Sequence, residues 1–169
     1  MKIFSSKLNL TRIVIEHWDT FGNIDGRGKF HDWFTFYLVP MIGALAYGVG
    51  AKKGWIGDCV PEACWNAALT VCAIFIPLAM TMLINLHSLR REMAKDTDRA
   101  QMLVRQLSCN SAYEALVAIV ILVYIVVVLI LDLKCHWLCS VGYVGLFGHL
   151  ILTLFMIVKR FYILLIRDN

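Results

Sequence analysis

Charge is what this sequence has least of. Only 17% of its 169 residues are charged, while 60% are hydrophobic. A soluble domain runs nearer about a quarter charged and half apolar. A soluble four-helix bundle is therefore excluded, because the charged faces it needs are missing. Long hydrophilic stretches are scarce as well. A helical crossing takes about 20 apolar residues, so four crossings leave roughly 90 residues for five connecting and terminal pieces. None of these pieces is large enough for a soluble catalytic domain. No P-loop, G-x-S-x-G, H-E-x-x-H or dinucleotide fingerprint occurs, so no enzyme, cofactor or metal is expected. A cleavable signal peptide is not expected either. The first apolar stretch, 8–21, is interrupted by Arg12, Glu16 and Asp19, unlike a continuous signal core.

What is present is four apolar runs, at 33–50, 63–86, 112–131 and 137–158. Each has the length of a spanning helix, and 115–131 is apolar all round. The fold class expected is all-α: a polytopic membrane protein with four transmembrane helices. An N-terminal arm at 1–32 precedes the transmembrane domain at 33–169.

Lysine and arginine set the direction. Both termini and the middle loop hold thirteen of them, and the other two loops hold only Lys52, Lys53 and Lys134. The positive-inside rule then predicts a multi-pass membrane protein with cytoplasmic N and C termini. The net charge of +4 is spread through juxtamembrane segments. That favours the lipid bilayer as partner and gives no reason to expect nucleic acid binding. Trp33, Trp55, Trp65 and Trp137 sit near predicted interfaces, as an aromatic belt does. Pro40 and Pro77 fall inside spans one and two, where each removes a backbone donor.

In the arm, Leu10, Ile13, Val14, Trp18 and Phe21 recur at helical spacing. This predicts an amphipathic helix, lying in the interface or packed on the rest of the protein. The middle loop, 87–111, reads as a cytoplasmic helical hairpin. Leu86, Leu89 and Met93 form one stripe, Asp96–Asp98 offers an N-cap, and Met102, Leu103 and Leu107 form a second stripe. Arg90, Arg91, Lys95, Arg99 and Arg105 make it a candidate docking surface for lipid headgroups or a cytoplasmic partner protein.

Four cysteines fall in or beside the outer loops: Cys59, Cys64, Cys135 and Cys139. On an oxidising face they are candidates for disulfides between the loops. Zinc bound by these four with His136 is the weaker alternative, because C-x4-C and C-x3-C are not usual zinc spacings. Among in-membrane polar residues, Asn85, Glu114 and His149 stand out, since an ionisable group in a span is a functional candidate by default. For Glu114 the plainer expectation is a carboxylate reaching water, or paired with Lys159 or Arg160. His149 is expected to hydrogen-bond a neighbouring helix. Gly142, Gly145 and Gly148 recur every three residues and allow close helix approach, within the chain or in a homo-oligomer.

Three stretches carry a resemblance: 30–40 (FHDWFTFYLVP), 107–120 (LSCNSAYEALVAIV) and 149–165 (HLILTLFMIVKRFYILL). With the order of arm, spans and hairpin, they make the chain similar to the small four-span proteins of bacterial anti-phage defence loci. The membrane-subunit family of the Kiwa system is the nearest type. The resemblance implies a non-enzymatic membrane component that self-associates, senses or anchors, and recruits a cytoplasmic protein. The alternative is an oligomeric pore-forming effector that depolarises the membrane. In-span polar residues are few and scattered, which favours the first.

Overall fold

The computed structural model describes residues 10–21, 29–57, 59–92, 98–133 and 136–166. Within them the chain is helical: α1 (Leu10–Asp19), α2 (Lys29–Trp33), a π-helical turn (Phe34–Leu38), α3 (Val39–Lys52), α4 (Glu62–Glu92), α5 (Asp98–Ile130) and α6 (Trp137–Ile166). Four stretches are long and apolar enough to cross a membrane, Phe30–Lys52, Glu62–Arg90, Gln101–Ile130 and Trp137–Ile163. They coincide with the four predicted runs and extend them. In the apolar interior of a bilayer no water can satisfy backbone polar groups, and a helix satisfies them internally.

Span one is not one uniform helix. Pro40 lies at the start of α3, directly after the π turn. Proline has no N–H to return to the carbonyl four residues back, here Phe36. The Val39 N–H instead reaches the Phe34 carbonyl, the wider π spacing. Pro77 lies inside α4, as the sequence predicted.

Helix α5 is central. It packs between α4 and α6, and α3 packs on α6. The most apolar window of this third span is 44% buried, against 28%, 17% and 22% for spans one, two and four. Lipid tails are as apolar as leucine, so burial alone does little to hold such helices together; close packing and hydrogen bonds do. Gly142, Gly145 and Gly148 serve that packing inside the chain. A Cβ on Gly142 would lie 2.6 Å from Tyr124 Oη, and Cβ atoms on Gly145 and Gly148 would meet Ala44 and Pro40 of α3 at 3.3 and 3.6 Å.

At the loop end, α4 and α6 are tied by Tyr143, whose hydroxyl donates to the Cys64 carbonyl at 2.9 Å. Trp65 packs on Tyr143, with ring centroids 4.6 Å apart. Trp65 is completely buried and donates its Nε1–H to the Val60 carbonyl. It is therefore a core residue and not part of an aromatic belt, whereas Trp33, Trp55 and Trp137 are exposed. At the opposite end Leu86, Leu103, Val104, Leu107 and Ile157 form a second cluster. It joins the C-terminal parts of α4 and α6 to the N-terminal part of α5.

Candidate functional site

The site lies where α1 meets the N-terminal half of α5 and the C-terminal half of α6. Helix α1 turns Ile13 and Val14 into the core cluster and buries His17, Thr20 and Phe21 beneath it. Leu10, Ile15 and Trp18 stay exposed. The predicted stripe is thus divided: Ile13, Val14 and Phe21 face the bundle, while Leu10 and Trp18 do not.

His17 is the anchor. Its Nδ1 is 2.9 Å from Asn110 Oδ1. Thr20 Oγ1 lies 2.6 Å from the His17 carbonyl and 2.7 Å from the same Asn110 oxygen, so its single proton is shared between two acceptors. The imidazole stacks on Tyr113, centroids 3.7 Å apart and planes 3° from parallel. Burial pushes the imidazole down to about 4, against the pull of the Asn110 hydrogen bond, so it is neutral at physiological pH. Arg160 of α6 donates Nη2–H to the Thr20 carbonyl. On the surface side, the Arg12 hydrogen bond at 2.7 Å holds the Glu16 carboxyl below its ordinary range, and the Cys109 thiol points to Glu16 at 3.6 Å.

A directed chain of hydrogen bonds runs from this surface into the bundle. Trp18 Nε1–H donates to Tyr37 Oη at 2.8 Å. Tyr37 and Tyr113 hydroxyls are 3.2 Å apart, and Tyr113 Oη is 2.9 Å from His149 Nε2. His149 Nδ1 is 2.8 Å from the Phe36 carbonyl. A carbonyl can only accept, so Nδ1 carries the proton and Nε2 accepts from Tyr113. Tyr37 must then donate to Tyr113. The Phe36 carbonyl is the one to which Pro40 has no N–H to give. Proline, π turn and histidine therefore form one unit.

Glu114 does not reach water. It is fully buried, and neither carboxylate oxygen has a hydrogen-bond partner. Thr153 lies close to it, but its hydroxyl points to the carbonyls of His149 and Leu150, at 2.9 and 3.0 Å. The pairing with Arg160 or Lys159 expected from the sequence is not formed, since neither Glu114 oxygen has a partner. His149 behaves as expected, bonding α5 and the π turn.

The other predicted positions are dispersed. Arg90 and Arg105 are exposed; Arg105 borders a recess of about 190 Å³ with Glu16, Asp19 and Cys109. Lys95, and the side chains of Arg91 and Arg99, lie outside the described residues. Asn85 lines an apolar groove of about 650 Å³ between α4 and α6, with Phe75, Met82, Ser111 and Phe161. Among the described residues no disulfide is present, and Cys64, Cys72, Cys109 and Cys139 are free thiols. Cys135 lies outside the described residues. No three His, Cys, Asp or Glu side chains among the described residues converge as a metal site.

Sequence reasoning missed His17, Tyr37, Asn110 and Tyr113. One signal was available for His17: it lies four residues after Ile13, on the same helical face. No protein-family model matches the chain, and neither a curated protein nor a solved structure matches it.

Proposed function

We propose that this chain is a non-enzymatic component of a bacterial inner membrane, with both termini in the cytoplasm, that senses or anchors and recruits a cytoplasmic protein in anti-phage defence. The defence context rests on the resemblance of 30–40, 107–120 and 149–165. The observation that supports sensing is the docking of α1 through His17 onto Asn110 and Tyr113. One flank of α1 is held by the spans. Exposed Ile15 and Trp18 suit the membrane interface, and Arg12, Glu16 and Asp19 suit the cytosol. A helix in that position links the packing of the spans to the cytoplasmic surface. A change of membrane thickness or tension that shifts α5 against α6 loosens its seat.

The recruiting surface is the hairpin 87–111, carrying Arg90, Arg91, Lys95, Arg99 and Arg105. Self-association uses the lipid-facing sides of the spans, since the glycine stripe of α6 is occupied by α3 and Tyr124. The pore-forming alternative has less support. His149, Tyr113 and Thr153 bond within the chain and do not line a common open face. Charge reversal of Arg90 and Arg105 is expected to abolish co-purification of a cytoplasmic partner in mild detergent; undiminished recovery refutes the docking surface. Depolarisation of cells expressing the chain, seen with a potential-sensitive dye, would favour the pore.

A further inference from the structure

The buried side-chain polar atoms that lack a hydrogen-bond partner among the described residues belong to four residues. They are His17 Nε2, Asn110 Nδ2, both Glu114 carboxylate oxygens and Arg160 Nη1. The four residues are 0%, 1%, 0% and 9% exposed, so bulk solvent does not satisfy them. An orphaned buried polar atom is costly and uncommon. Five such atoms on linked or neighbouring residues call for a partner other than protein.

The residues form a chain of neighbours. His17 bonds Asn110 directly. Asn110 and Glu114 are one turn apart on the same face of α5. Arg160 holds the carbonyl of Thr20, whose hydroxyl touches Asn110, and its charge is felt at His17. The orphans are also complementary. Asn110 Nδ2 and Arg160 Nη1 can only donate. The Glu114 oxygens accept when ionised, and His17 Nε2 accepts because Nδ1 faces the Asn110 oxygen.

Donor and acceptor capacity then selects the occupant. An anion, which only accepts, leaves His17 Nε2 unmatched, and a metal cation, which offers no acceptor, leaves Asn110 Nδ2 and Arg160 Nη1 unmatched. A small neutral molecule that both donates and accepts meets all five atoms. Buried waters characteristically make two to four bonds to such groups. We propose that His17, Asn110, Glu114 and Arg160 form an internal water-binding site, in which ordered waters bridge the Glu114 carboxylate to Asn110 and Arg160, reach His17 Nε2, and lock α1 onto α5 and α6. Such a site holds α1 in place whatever partner the cytoplasmic surface meets.

The direct test is X-ray hydroxyl-radical footprinting of the full chain in nanodiscs prepared in H₂¹⁸O and then diluted into ordinary water. Bound water, activated in place, oxidises the side chains beside it. His17 and Tyr113 are expected to be oxidised despite their burial and to retain ¹⁸O after surface residues have exchanged. Trp65, intrinsically more reactive and, like His17, fully buried, lies at the far end and serves as the dry reference. Oxidation of His17 and Tyr113 no greater than that of Trp65 overturns the proposal.

A second measurement uses Glu114→Gln, Arg160→Gln and the double variant, read by deuterium uptake of residues 10–21. Each single change is expected to speed uptake about tenfold, and the double no more than the worse single. Effects that multiply show that the two groups do not share a bridge and overturn the proposal. The footprinting result stands on the unaltered chain, so misfolding of a variant does not remove the test.

Discussion

The imidazole of His17 lies flat on the phenol of Tyr113, centroids 3.7 Å apart and planes within 3°. His17 belongs to the helix before the first span, and Tyr113 to the third span. This contact, with the Asn110 bond beside it, is where the N-terminal helix becomes part of the bundle.

His17→Ala is therefore expected to undock α1 without unfolding the spans. It removes the stack and leaves the Asn110 oxygen to Thr20 alone, at a cost of about 2 kcal/mol. Hydrogen–deuterium exchange should rise across residues 10–21 and stay unchanged in α4. Unaltered exchange in 10–21 would mean that His17 does not anchor the helix.

Docking should also depend on pH. The docked imidazole is held near 4, against 6.5 for the free group, mainly by burial. The groups facing it are Asn110 and Tyr113 from α5 and His149 and Arg160 from α6; Arg160 adds to the reluctance to take a proton. Above pH 6.5 the ring is neutral in both states and docking has full strength. As pH falls below 6.5 the undocked ring gains a proton and the docked ring does not. Docking then loses about 1.4 kcal/mol per unit until about pH 4. A ¹⁹F signal from 5-fluorotryptophan at Trp18 should titrate in that window in the native chain and lose the transition in His17→Gln.

Tyr113→Phe keeps the stack and removes the hydroxyl that joins Tyr37 to His149. Hydrogen bonds within membrane bundles are worth roughly 0.6–2 kcal/mol, so a loss of about 1 kcal/mol is expected in steric-trap or detergent unfolding. The ¹⁵N spectrum should report an altered His149 Nε2, with Nδ1 still bound to the Phe36 carbonyl. An unchanged Nε2 environment would break the proposed direction of the chain.

Gly142→Ala would place a Cβ 2.6 Å from Tyr124 Oη. That hydroxyl is fixed by its 2.7 Å bond to the Cys139 carbonyl, so it cannot easily yield. Overpacking of this kind costs about 1–3 kcal/mol. Tyr124→Phe in the same chain should recover part of the loss, because it removes the clashing oxygen. Gly43→Ala, where nothing lies within 4 Å, should be near neutral in the same melting assay.

The spans were legible because their signal is local: about 20 consecutive apolar residues leave a backbone no other way to satisfy itself in lipid. Pro40 and the helical spacing of α1 were legible for the same reason. His149 could be read as a helix-to-helix bond, though not its partners. Glu114 was marked as unusual, yet its neighbours were misjudged, because equal depth along two helices does not say which faces meet. The site itself joins residues 93, 90 and 113 positions apart: His17 to Asn110, Thr20 to Asn110, and Phe36 to His149. Composition and periodicity carry no information at those separations. The amino-acid sequence by itself determined that the chain has four stretches long and apolar enough to cross a membrane and an apolar-striped segment ahead of the first of them. Only the tertiary structure decided that this segment is seated by a buried histidine, because that depends on which faces of α5 and α6 turn toward it.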